Sequence, residues 1–172
     1  MRSKTVLALS LLLAGAGLAS AEEPMSADCL PAVGSYITKN SLPDGQGGTI
    51  HSRSLISLTN GGHALRSDSD QYSGLGKQAF GDSHGAWRCA GVKGEEIAIR
   101  ATMLNFSYPQ KAGEDALIGV ITYQGSYNTK DDRLRLSGGL RFVGENDDPF
   151  GPHIQIAPIP IEVEGVKIEA PR

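Results

Sequence analysis

His84, Arg100, Tyr123 and Tyr127 are the side chains here whose chemistry suits work on a small molecule. A positioned His or Tyr moves a proton, and an Arg stabilises the enolate that proton loss creates. His84 lies in a Gly-flanked approach to Trp87, and Arg100 is the one charge in the middle of the longest β-like run. Tyr123 and Tyr127 share a parity. Together the four would suit an isomerase, cyclase or lyase acting by proton transfer. Each also has a plainer reading. His84 then satisfies loop carbonyls, and the tyrosines pack across strands. Arg100 is solvated if it faces outward, and meets a ligand carboxylate or enolate if it faces inward. The alternation leaves that direction open.

A second set suits binding rather than catalysis. Tyr36, Trp87, Leu104, Phe106 and Tyr123 would line a cavity holding a small apolar or amphipathic ligand; core packing is the alternative for each. Other chemistries lack their residues. There is no Gly-x-Ser-x-Gly for a hydrolase and no cofactor fingerprint. His51, His63 and His153 have no ligand-like spacing. Asp131-Asp132 and the acidic run Glu145, Asp147, Asp148 lack the Gly-punctuated pattern of a calcium loop. No metal or cofactor is expected.

The elements that must position these residues read as strands. Gly is 22 of 172 residues and hydrophobic residues are 40%, a mix that suits short strands joined by tight turns. Val33–Thr38, Ser54–Thr59, His63–Ser67, Ala86–Ala90, Ile97–Tyr108, Leu117–Asn128 and Arg133–Val143 are β-like, with turn residues between them. Asn60-Gly61 marks a hairpin through two residues tolerant of positive φ. In Arg133–Val143, Leu134, Leu136, Gly138, Leu140 and Phe142 form a dry face, and the intervening residues form a wet one. Gly138-Gly139 suggests a bend or bulge. The Pro-containing segment 152–169 reads as an edge strand or a strand with an extended tail. Seven or eight strands in sequential hairpins predict an all-β antiparallel up-and-down barrel. Arg133, Arg135 and Arg141 share a face that would meet lipid, which disfavours a membrane barrel.

The address is at the N-terminus. Arg2 and Lys4 precede the apolar run Val6–Ala14, and Ala19-Ser20-Ala21 supplies a small-x-small cleavage site. Residues 1–21 therefore read as a signal peptide and 22–172 as one domain, periplasmic or secreted, with no spanning segment after cleavage. Losing Arg2 and Lys4 takes the net charge from −3 to −5, which disfavours nucleic acid as a partner. Cys29 and Cys89 are the only cysteines. In an oxidising compartment they read as one disulfide, with buried thiols or a metal site as alternatives.

Gly34-Ser35-Tyr36 resembles the Gly-x-Trp start of lipocalins, with Tyr in place of Trp. His84-Gly85-Ala86-Trp87-Arg88, preceded by the hairpin Arg53–Gly62, is similar to small exported bacterial lipocalin-like proteins with a His-Gly-x-Trp strand. The resemblance covers most of residues 32–143. It implies a calyx with an apolar or amphipathic ligand, and no agreed catalytic residues. A third class, an envelope interaction protein, would use the Tyr72–Phe80 connection and the Pro-rich tail, residues 152–172, as contact surfaces.

Overall fold

The computed structural model describes residues 25–71, 79–109, 111–151 and 157–169. A 3-10 helix, Ala27–Ala32, leads into β1 (Gly34–Pro43), β2 (Thr49–Leu58), β3 (His63–Asp68), β4 (Ala79–Phe80), β5 (Ser83–Lys93), β6 (Glu96–Tyr108), β7 (Leu117–Asn128), β8 (Arg133–Gly144) and β9 (Ile159–Lys167). Residues 1–24, with the signal peptide expected there, and residues 72–78, 110, 152–156 and 170–172 lie outside the described residues, and with them His153, Tyr72 and parts of both proposed contact surfaces.

Every pairing is antiparallel; apart from β3–β5 and β4–β6, which arise around the two-residue β4, each joins neighbours in the chain until β9 pairs with β1 and closes the ring. The result is a closed eight-stranded barrel. β4 and β5 both pair with β6, and between Phe80↔Ser107 and His84↔Leu104 the register slips by one. They act as one strand interrupted at Gly81-Asp82. Closure removes the free edges that an open sheet would expose.

Two local expectations change. The β2–β3 hairpin forms, but its left-handed residue is Gly62 (φ 76°), not the Asn60-Gly61 pair. Gly62 N–H donates to the Thr59 carbonyl at 3.1 Å and Thr59 N–H to His63 O at 2.9 Å, so the turn is one residue longer. The last strand is not an edge. β9 pairs with both β8 and β1, and Pro160 falls where β8 is the only partner. A residue without an N–H fits there at little cost.

Gly85 and Gly138 mark where strands approach most closely. A Cβ at Gly85 would overlap the Thr102 carbonyl oxygen, and one at Gly138 the Thr122 carbonyl oxygen. No side chain fits at either position without moving that backbone, and the register of β8 runs through Gly138-Gly139 without a bulge. The wet face expected of β8 is buried at Gly139 and at Val143. Val143 is buried outside the barrel against Ile118 and Val120, with Leu104 beside them. Arg141 donates to the Pro149 carbonyl at 2.7 Å, which holds the 145–151 turn against this side.

Candidate functional site in the barrel lumen

Period-two alternation sends every second residue inward, and the two ends of the lumen differ. At the end where the 3-10 helix lies, the filling is aromatic and aliphatic: Tyr36, Trp87, Tyr127, Leu58, Ile97 and Leu134 are all buried. Tyr36 and Tyr127 pack edge to face with centroids 5.8 Å apart. Each polar tip has a partner. Tyr36 donates to Ala32 O at 2.6 Å, Tyr127 to Asp132 Oδ1, and Trp87 Nε1–H to Thr59 O at 2.8 Å. Cys29 and Cys89 form a disulfide with Cα atoms 6.1 Å apart, tying the helix to β5. Lys167 Nζ donates to Pro31 O at 2.6 Å and adds a second tie from β9. This end is closed.

The other half of the lumen has two unlike walls. On β1, β2, β3, β5 and β6 many of the inward residues are polar: Thr38, Asn40, Ser54, Arg66, Asp68, Ser83, Asn105 and Ser107, all buried, with Leu42 and Met103 among them. Facing them from β7, β8 and β9 are Ile121, Leu136, Ile161 and Val163. Five members of the polar wall, Thr38, Asn40, Ser54, Arg66 and Asp68, form a connected network, and Asn105 and Ser83 form a separate pair. Arg66 Nε donates to Asp68 Oδ1 and Oδ2 at 2.8 and 3.0 Å, and the pair is almost completely excluded from solvent. Ser54 Oγ donates to Asp68, and Asn40 Nδ2 donates to Ser54 Oγ at 2.5 Å and Ser52 Oγ at 3.0 Å. Thr38 Oγ1 lies 3.2 Å from both Asn40 Oδ1 and Ser54 O.

Arg66 also reaches across the lumen. Its second terminal nitrogen donates to the Tyr123 hydroxyl on β7, and the guanidinium carbon lies 5.8 Å from that ring's centroid. This bar separates the closed end from the mixed half. Above it, Asn105 Nδ2 donates to Ser83 Oγ at 3.3 Å, while Asn105 Oδ1 is buried with no hydrogen-bond partner among the described residues. Asp70, just past the ion pair, is held above the ordinary carboxylate range, first by burial and then by the Asp68 charge.

The residues singled out from sequence divide by parity. Tyr36, Trp87, Tyr123 and Tyr127 point inward and are buried. His84 and Arg100 are exposed on the outer face, because β5 and β6 send Ser83 and Trp87, and Ile99 and Ala101, inward. The four proton-transfer candidates therefore do not converge. Burial, then Tyr127 and Asp132, pushes the Tyr36 hydroxyl well above its usual range, and burial with the hydrogen bond to Asp132 does the same at Tyr127. Leu104 and Phe106 lie on the outer face too, Phe106 at 57% exposure, so they line no inner wall with Tyr123. Met103 and Asn105 occupy the inward positions between and beside them.

Sequence reasoning missed Arg66, Asp68, Asn40, Ser54 and Asn105. A signal was present. Across the β2–β3 hairpin Leu58 pairs with Ala64 and Ile56 with Arg66, so the face that buries Ile56 and Leu58 must also bury Arg66, while Leu65 is left outside.

Among the described residues no helix is long and apolar enough to cross a membrane, and the disulfide fits an extracellular or periplasmic setting. Comparison with protein-family models, curated proteins and solved structures found no significant match.

Proposed function

We propose that the protein is an exported, lipocalin-like binding module that takes a small amphipathic molecule into the half of the lumen beyond the Arg66–Tyr123 bar. The apolar body would lie against Ile121, Ile161 and Val163, and the polar head against the Asn40–Ser54–Asp68 network and Asn105. The observation that carries this reading is the buried polar wall itself. A barrel needs no interior ion pair to fold, and well-packed apolar side chains in its place are often neutral or stabilising. Costly polar groups gathered on one wall, with the Asn105 acceptor unpaired, are what a recognition surface would need. The lipocalin-like start at Gly34-Ser35-Tyr36 and the closed barrel agree with it.

The proton-transfer alternative has less support, since His84 and Arg100 stand outside the lumen. Native mass spectrometry on protein purified from its own host's exported fraction tests the binding reading. An adduct lost on organic extraction, and reduced in Asn105→Leu, is the expected result. Protein that carries no adduct and does not enhance the fluorescence of anilinonaphthalene sulfonate would overturn it.

A further inference from the structure

The outer face of β9, β1 and β2 carries a pattern that the lumen does not explain. Val166, Ile37 and Leu55 lie side by side in register and are 44%, 45% and 50% exposed. Outward positions on a barrel are normally polar, and single exposed apolar residues need no account. Three in one row across adjacent strands make a continuous apolar strip. Next to it is a row of charges, Glu164, Lys39 and Arg53, and beyond that Glu162, Ser41 and His51. Among the described residues none of Glu162, Glu164, Lys39 and Arg53 takes part in an ion pair.

We propose that this face is the interface of a two-fold symmetric homodimer, with the axis lying along β1. Rotation about that axis keeps each row at its own height and exchanges left for right. The β9 of one subunit then meets the β2 of the other. Val166 faces the partner subunit's Leu55, and Ile37 meets its own copy. Glu164 faces the partner subunit's Arg53, and Glu162 faces the partner subunit's His51. All three rows become complementary under this one operation, which is the self-complementarity an isologous contact requires. Only Lys39 meets a like charge, its own copy, and it has a Glu164 beside it in each subunit.

Shape agrees with charge. A surface groove of about 550 Å³ lies on the β9 side, lined by Lys39, Ser41, Arg135, Glu162 and Glu164 among others. The rotation carries the partner subunit's Arg53 to this groove, where Glu162 and Glu164 lie with Lys39 and Arg135, the latter already paired with Asp131. The contact spans few strands and falls at the small end of specific interfaces, so the dimer should dissociate on dilution, at roughly micromolar concentration.

Sedimentation velocity on the full exported chain, from about 1 to 500 μM, tests this. The expected result is a monomer–dimer equilibrium. Glu164→Arg and Arg53→Glu should each weaken it by about tenfold or more by placing like charges opposite one another. The double variant Arg53→Glu/Glu164→Arg should restore association, because the exchanged charges again face opposites across the axis. All the changed side chains are exposed, and unchanged circular dichroism and melting will show that each variant is folded. A monomer at every concentration, assembly beyond a dimer, or a double variant as weak as the singles would overturn the proposal.

Discussion

The Arg66 guanidinium and the Tyr123 hydroxyl meet inside the barrel although 57 residues separate them in the chain. Arg66 thereby serves two partners at once, Asp68 on its own strand and Tyr123 across the lumen. A planar group with several fixed donors can do this, and a lysine cannot. The bar it forms sets the floor of the proposed binding space.

Removing one member of the ion pair should cost far more than replacing both. Arg66→Met leaves Asp68 buried with Ser54 Oγ as its remaining donor among the described residues, and a loss of about 3–5 kcal/mol is expected. Arg66→Met/Asp68→Leu should recover most of it, short of about 1–3 kcal/mol for the Ser54 hydroxyl left without its acceptor. Urea unfolding of both variants provides the comparison. A double variant as unstable as the single would mean that the pair holds the fold together, and would weaken the case for a recognition role.

The disulfide should matter for stability and for the order of the closed end. Cys29→Ser or Cys89→Ser is expected to cost about 2–5 kcal/mol. It should also release the 3-10 helix whose Ala32 carbonyl accepts from Tyr36, flattening the near-ultraviolet dichroism of Tyr36 and Trp87. Denatured but unreduced protein should show no titratable thiol. Two thiols would remove the bridge.

Acid and neutral stability depend on different carboxylates. Asp82, accepting from Ser67 and Gln71, and Glu96, accepting from Ser126 and Asn128, are both held below the ordinary carboxylate range. Their contribution is present above the ordinary value and is lost as pH falls through their lowered values. Asp70 has the opposite sign. Its raised value means that the folded protein keeps a proton the unfolded chain releases, so its contribution is lost as pH rises from the ordinary carboxylate value through the raised one. Asp70→Asn should therefore raise the melting temperature at pH 7, and Asp82→Asn should lower it there and flatten the acid limb. Melting curves from pH 3 to 8 read both; a fall at pH 7 in Asp70→Asn would contradict the sign.

Gly85→Ala should disrupt the β5–β6 pairing. The added methyl overlaps Thr102 O and sits 2.6 Å from Met103 Cα, both backbone atoms that cannot swing aside. A loss of about 1–3 kcal/mol or more is expected. Gly61→Ala is the control, since its nearest neighbour is the His63 ring at 3.6 Å, and it should stay within about 0.5 kcal/mol. Equal effects would show that the close approach at Gly85 is not a constraint.

Local chemistry in the sequence determined the strands, the order of the hairpins and the pairing of Cys29 with Cys89. Alternation and turn residues act over a few positions, and two cysteines leave one possible bridge. Alternation also sorts a strand into two faces, but it does not say which face is inside when both carry apolar residues. On β6, Ile97, Ile99 and Met103 compete with Leu104 and Phe106, and only closure of the ring sends the first set inward and Arg100 out. The same closure gives β9 two partners despite its prolines. It also brings Arg66 to Tyr123, because in a barrel the parity of each strand is fixed by every other strand through the shared register. The polar wall lay beyond a local reading for that reason: its members come from five strands, and what makes them a site is their burial together.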